Sequence, residues 1–435
     1  MHLPWFAAWL AFAIAAAAQF ALITWQLWEN RRFARSRLFR SPIVRHRPCV
    51  ALFAPCKGLD PEVVENLRPL LRQDYDNYRV TFIVESGDDP VCGPIRRLMM
   101  QHPRVPARLL VAGQATDTGQ KVHNLRTATA DLPDDVEVLA FVDSDARPRA
   151  DWLRRLVSRL NRQEIGAVTG YRWFVPTDRS AAQLLLYSVN ASVASGFGPG
   201  GHHLVWGGSW AVRRDVFEQL GLRSAWRGTL SDDLVATRVL HQSGLRVEFE
   251  PACMVASPID GGWQQALSFI RRQYVISRFY APRWWLLALT AATLGVVTFW
   301  GGLVALVTGA AAGADWTWVP ALVCSLFYGG SILRGWQRRA LARVYLPDAQ
   351  SRLAAAAWID LWTGPLVGLA HWLSILSSLV GDELDWRGVR YRIRRGGGIE
   401  IVSREVAIPT GPPTPKPGRR PKRQLQPVHC HTGGS

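Results

Sequence analysis

The chain is poor in acid, has no closely spaced cysteines and carries no glycine-rich phosphate loop. Asp and Glu number 34 against 51 Lys and Arg, a formal charge of +17. That balance points to an anionic partner: nucleic acid, anionic lipid or a phosphorylated small molecule. The six cysteines, at 49, 56, 92, 253, 324 and 430, never stand as Cys-x-x-Cys. Neither a structural zinc site nor a disulfide framework is written here, and a reducing compartment fits. No Gly-x-Gly-x-x-Gly or Gly-x-x-x-x-Gly-Lys-Ser/Thr closes a strand, which disfavours a nicotinamide Rossmann enzyme and a P-loop NTPase. Charge itself is missing from residues 5–28 and again from 284–314.

Against these absences, 435 residues leave room for two or three domains, and 20 tryptophans with 48% apolar content point to membrane contact. Residues 5–28 are long enough to cross a hydrocarbon core of about 30 Å, with tryptophan at both edges. The basic cluster Arg31, Arg32, Arg35, Arg37 and Arg40 follows this run rather than preceding it. That order reads as a transmembrane helix with a cytoplasmic carboxyl end, not as a secretory signal. Residues 284–314 and 316–333 read as a hairpin across the bilayer, returned inside by Arg334, Arg338, Arg339 and Arg343. Residues 354–380 are interrupted by Asp360, Pro365 and His371. A single crossing there would put Arg387, Arg390, Arg392, Arg394 and Arg395 outside, so the stretch is expected to be interfacial or re-entrant.

The middle alternates strand and helix patterns: strands at 50–54, 80–84, 107–111, 136–142 and 166–174, helices at 61–72, 90–101, 121–130 and 151–161. Such alternation predicts an α/β domain with a mostly parallel sheet and ligands at the carboxyl ends of its strands. Acids stand at those ends. The strand at 136–142 empties into Asp143-Ser-Asp145, a spacing that can offer oxygens to a hard divalent ion shared with a diphosphate. A turn whose Asp caps the next helix accounts for the same residues. Asp232-Asp233 opens a helical pattern, where acids complement the helix terminus or, suitably placed, take a proton from an attacking hydroxyl. Glu85, Asp88 and Asp89 end an earlier strand, and Lys57 and Lys121 lie near two strand ends as point cations for phosphate. Residues 263–280 form an amphipathic pattern that mixes Arg271, Arg272 and Arg278 with aromatic residues, as an interfacial helix does.

Taken together, these motifs resemble ceramide glucosyltransferase and its bacterial relatives, the membrane-bound family 21 branch of the family 2 type glycosyltransferases. Pro55-Cys-Lys57-Gly58-Leu59-Asp60-Pro61 is similar to the family's Lys-Gly-x-Asp-Pro signature, and Lys121-Val-His-Asn124-Leu125 to its Lys-x-x-Asn-Leu. Asp88-Asp89-Pro90, Asp143-Ser-Asp145 and Asp232-Asp233 look like its three aspartate motifs, in order and spacing. The resemblance covers about residues 47–285 with the flanking membrane segments. It implies a GT-A fold, a UDP-sugar donor, Mg2+ or Mn2+, and inversion by direct displacement at the anomeric carbon. It further implies Lys57, Glu85, Asp89, Lys121 and Asp143 about the nucleotide-sugar, Asp143 and Asp145 on the metal, and Asp233 as the base. Asp232, Arg272, Gln273 and Tyr274 would then face the acceptor. The usual Arg-Trp pair is missing after Arg272, where Gln273-Tyr274-Val275-Ile276 stands, so the acceptor's identity stays open.

The expected organisation is a transmembrane helix and basic flank (1–46), a GT-A domain (47–262), an interfacial helix (263–283), a membrane region (284–395) and a basic, Pro-rich disordered tail (396–435). The expected partners are a UDP-sugar, a membrane lipid acceptor and the bilayer, with the catalytic domain cytoplasmic; oligomeric state is open. A processive polysaccharide synthase would want more crossing helices and an intact Gln-x-x-Arg-Trp. A non-catalytic nucleotide-sugar-binding scaffold would need no positioned base. Nucleic acid is not expected, because the basic residues cluster at membrane flanks and in the tail rather than in a stripe across the α/β domain.

Overall fold

In the computed structural model, which describes residues 3–39, 47–60 and 62–404, the middle of the chain forms a seven-stranded sheet. Its strands are β1 (Cys49–Pro55), β2 (Tyr78–Val84), β3 (Ala107–Val111), β4 (Val136–Val142), β5 (Ile165–Pro176), β6 (Ser209–Arg213) and β7 (Arg246–Ile259), in the order β3-β2-β1-β4-β6-β5-β7. The first four run parallel, β6 is antiparallel to β4 and β5, and β7 is parallel to β5. The expected α/β, mostly parallel architecture is therefore present, with β6 and β7 added to the five strands read from the sequence.

Alternation builds two cores. In β1, Val50, Leu52 and Ala54 face one layer, whereas Cys49, Ala51 and Phe53 face the other, as a period of two requires. Burial on both faces explains why the parallel strands read as unbroken apolar runs. Phe141 of β4 stacks on Trp210 of β6 at 4.4 Å and meets the edge of Trp226 at 5.8 Å. This aromatic block anchors the strand that ends at Asp143. Trp226 Nε1 also donates to the Asp232 carbonyl at 2.9 Å, which ties the second acidic pair to the same core. In the 61–72 stretch, Val63–Leu67 is helical and Arg68–Leu71 tightens to a 3-10 turn, where Pro69 supplies no N–H. Residues Trp263–Tyr280 form one helix.

Among the described residues, three helices are long and apolar enough to cross a membrane: Phe6–Leu38, Pro282–Ala311 and Asp315–Tyr345. The next pair, Pro347–Trp362 and Gly364–Ser377, is bent by 89°. Pro365 stands in the first turn of the second member, where a proline is tolerated and the preceding helix ends. Asp360 of this pair is buried and held bidentately by Arg338, at 2.8 and 2.9 Å, so its charge is met inside the bundle.

Two boundaries are corrected. The expected membrane region reaches to 395 and the expected disordered tail begins at 396, but β8 (Glu383–Trp386), β9 (Val389–Ile393) and β10 (Ile399–Arg404) form an antiparallel sheet. Leu384, Val389, Tyr391 and Ile393 are buried in the second core of the catalytic domain. On the other face, Arg390 pairs with Asp385, Arg392 with Glu383 and Arg394 with Glu400. The charge run that looks like a cytoplasmic flank is thus the outer face of a sheet. The rest of the tail from 405, with Arg40, Pro61 and Cys430, lies outside the described residues. The five described cysteines are free and buried.

Candidate functional site

The carboxyl ends of β1 and β4, the turn before β6 and the start of helix Asp232–Gln242 open onto one cavity of about 960 Å³. Of the sequence-predicted residues, Lys57, Lys121, Asp143, Asp145, Asp232, Asp233, Arg272, Gln273 and Tyr274 line it. Glu85 and Asp89 do not. Glu85 takes Lys57 Nζ at 2.8 Å and Arg404 Nη1 at 2.8 Å. Asp89 accepts the Gly58 N–H at 3.0 Å and the Val91 N–H at 3.0 Å. Both acids hold the loop after β1 that carries Lys57.

Lys121 is the hub. Its ammonium lies 2.8 Å from Asp143 Oδ1 and 3.2 Å from Asp232 Oδ1. Burial lowers its pKa, but these carboxylates with Asp233 more than reverse that and hold it charged. Burial likewise works to raise the Asp143 carboxyl, but Lys121, Arg172 and Arg387 bring it below the usual carboxylate range. Asp145 goes the other way, raised by burial despite Arg172. Asp232, 2% exposed, is pushed up to about 6 by burial.

The second acidic pair divides in two. Asp232 faces Lys121, and its Oδ2 is buried without a hydrogen-bond partner. Asp233 is the more accessible of the two and is fixed from several sides. Gly207 N–H donates to its Oδ2 at 3.0 Å, Leu234 N–H to its Oδ1 at 2.8 Å, and the Ser231 hydroxyl also bonds Oδ1. A Cβ at Gly207 would stand 2.6 Å from Lys121 Nζ and 2.9 Å from Asp232 Oδ2, so a side chain here would displace the ammonium and the buried carboxylate from each other's reach.

No three or more His, Cys, Asp or Glu side chains gather as a metal cluster among the described residues. Asp143 and Asp145 nevertheless suit a hard cation that draws its other ligands from water and a diphosphate. Asp145 Oδ1 is buried without a hydrogen-bond partner, and an orphaned acceptor of this kind calls for a cation or a donor.

On the far wall, Arg172 lies 3.6 Å from Asp145 and within 5.1–5.4 Å of the rings of Trp206, Phe174 and Phe269. Arg272 sits over Phe269 at 5.2 Å and Trp386 at 5.6 Å. Burial, then the charges of Arg172 and Arg387, lower its guanidinium to about 10. Tyr274 bonds His371 of the bent helix pair. Val189, Val193 and Trp284 line an apolar reach of the cavity toward the membrane helices. Sequence reasoning missed Arg172, Asp60 and Arg387 as site residues. The signal for two of them lay in the Lys-Gly-x-Asp-Pro run and in Trp386-Arg-Gly-Val-Arg-Tyr391, which form the facing sides of one ion pair, Asp60–Arg387 at 2.6 Å.

The family model for glycosyl transferase family 21 matches residues 9–399, and the chain belongs to that family. Over 117 residues it is 31% identical to a ceramide glucosyltransferase of Komagataella phaffii, covering 26% of this chain and 23% of the relative. Over 81 residues it is 28% identical to ceramide glucosyltransferase 3 of Caenorhabditis elegans, covering 19% and 18%. The match thus spans about a fifth of the length of these curated relatives. Among solved structures it is similar to the mannosyltransferase PcManGT from Pyrobaculum calidifontis in complex with GDP-Man and Mn2+, with a TM-score of 0.48, 22% identity and coverage of 81% of this chain and 98% of that one.

Proposed function

We propose that the protein transfers a hexose from a UDP-sugar to a hydroxyl of a membrane lipid, ceramide-like or other, at the cytoplasmic face. The observation that carries this reading is the joining of an acidic, Lys121-centred cluster to an apolar reach beside the membrane helices within one cavity. A soluble donor enters from the cytosol, and an insoluble acceptor meets it at the interface, where confinement replaces a diffusive encounter.

In this reading Asp233 is the base. Its carboxylate is fixed by Gly207, Ser231 and Leu234, yet stays accessible, whereas Asp232 is buried against Lys121. As the acceptor oxygen bonds to the anomeric carbon, its proton passes to Asp233 and the bond from that carbon to the diphosphate oxygen breaks, which inverts the centre. Lys121 and the Asp143–Asp145 pair stand on the leaving-group side. A Mg2+ or Mn2+ held by Asp143 and Asp145 would supply charge neutralisation of the departing diphosphate. The bent pair Pro347–Trp362 and Gly364–Ser377 is re-entrant in this account, so the C-terminal sheet lies on the same side as the catalytic domain it packs against.

The test is transfer by the full chain in lipid nanodiscs with Mn2+, a panel of UDP- and GDP-sugars and mixed lipid acceptors, with UDP release and glycolipid read by mass spectrometry. A glycolipid formed from a UDP-sugar supports the reading. Nucleotide release from no donor, in folded protein, leaves a binding scaffold.

A further inference from the structure

β8 and β9 are joined by the two-residue turn Arg387-Gly388, in which both residues have positive φ, 50° and 74°. Such turns favour Asn-Gly or Gly-Gly, and a residue with a Cβ at the first position is disfavoured there. Among the described residues the other non-glycine with positive φ is Glu62. Strain of this kind directs attention to what the side chain does.

The Arg387 side chain reaches across the fold to the loop after β1. Its Nη1 donates to the Lys57 carbonyl at 2.7 Å and to Asp60 Oδ1 at 3.0 Å, and its Nη2 donates to Asp60 Oδ2 at 2.6 Å. A guanidinium has five N–H donors, so among the described residues the Nε hydrogen and one Nη2 hydrogen remain uncommitted. Asp60 therefore fixes the plane of the fork while leaving donors at the cavity, which Arg387 lines together with Lys57 and Asp143. Beside it, Arg272 is stacked between Phe269 and Trp386 with no carboxylate in ion-pair range among the described residues. Positive charge on this wall exceeds what the protein neutralises, and a planar fork with free donors matches phosphate oxygens.

We propose that Arg387 binds the diphosphate of the donor, with Asp60 as its positioning residue, so that the C-terminal sheet completes the donor site. This rests on the nucleotide-sugar reading above. A diphosphate is favoured over a charged acceptor because Arg387 stands at the ends of β1 and β4, away from the apolar reach of the cavity.

The test is calorimetric binding of UDP, GDP and the nucleosides uridine and guanosine to the full chain in nanodiscs, with Mn2+. Arg387→Ala is expected to weaken the preferred diphosphate at least tenfold and to leave its nucleoside within twofold. Arg387→Lys, which keeps the charge but not the fork, falls between, and Asp60→Asn weakens the diphosphate severalfold. Arg390→Ala, on the outer face of the same hairpin, leaves diphosphate binding unchanged. Equal losses for diphosphate and nucleoside, equal losses in Arg390→Ala, or an unchanged diphosphate affinity in Arg387→Ala would overturn the proposal. Should Arg387→Ala fail to fold, Arg387→Lys decides, and full affinity in that variant counts against the fork. If the wild type binds neither diphosphate, the donor reading falls and takes this one with it; wild-type binding with an indifferent Arg387→Ala removes this proposal alone.

Discussion

Lys121 Nζ stands 3.2 Å from the buried Asp232 carboxylate while keeping Asp143 at 2.8 Å on its other side. One ammonium thus joins the acid at the end of β4 to the acid pair that opens helix Asp232–Gln242. Removing one partner of a buried ionic group leaves the others uncompensated, a loss of about 3–5 kcal/mol. Lys121→Met should therefore lower the thermal midpoint markedly and abolish transfer. Lys121→Arg keeps the charge and should recover part of the stability. A thermal melt with a transfer assay on both variants checks this.

The Asp232 carboxyl, raised to about 6 by burial, gives a pH dependence of determinate sign. Above that value it is ionised and attracts Lys121; below it the carboxyl is neutral and that attraction is lost. Transfer should fall by about tenfold per pH unit below pH 6, and Asp232→Asn should remove this limb. Stability moves the opposite way. An unfolded Asp titrates near about 3.9, so between pH 4 and 6 the folded state binds a proton that the unfolded state lacks, and this group favours folding as pH falls. Melts and rates from pH 4.5 to 7.5 on wild type and Asp232→Asn separate the two effects.

Asp145, with its orphaned Oδ1, sets the metal prediction. Chelation should abolish transfer and Mn2+ or Mg2+ should restore it. Asp145→Asn, which removes a charge but little volume, should raise the metal concentration for half-maximal rate at least tenfold. Unchanged metal titrations in Asp145→Asn would remove this residue from the metal site.

In the membrane region, Asp360→Ala leaves Arg338 buried without its bidentate partner. That single change should destabilise more than the double change Asp360→Leu with Arg338→Leu, because a buried charge without its partner costs more than an apolar pair in its place. Melts of the purified variants in one detergent make the comparison.

Much of this was readable in advance wherever local pattern decides structure. The unbroken apolar run of β4 ending in Asp143, the periodicity of Trp263–Tyr280 and the acid pair at 232 and 233 each carry their own signal over a few residues. The C-terminal sheet did not show itself, because Arg390, Arg392 and Arg394 look like a membrane flank until strand pairing brings Asp385, Glu383 and Glu400 beside them. Arg172 is hidden in the same way: its partners Asp145, Trp206 and Phe269 come from separate elements. The Asp60–Arg387 pair joins residues 327 apart, and local spacing holds no record of such a contact. Glu85 and Asp89 were visible as acids at a strand end, but whether they face the cavity or the loop depends on Lys57, Arg404 and the Gly58 backbone.

The most direct measurement is glycolipid formation by wild type and Asp233→Asn in nanodiscs at matched folding, with donor binding measured alongside. The substitution keeps the shape of the carboxylate and an acceptor for one of the two N–H donors, Gly207 or Leu234, but removes its capacity to take a proton. The account predicts a loss of at least a thousandfold in transfer with donor affinity changed by less than threefold, since the base is needed for the acceptor hydroxyl and not for the nucleotide. Transfer by Asp233→Asn at a rate within tenfold of wild type would contradict it.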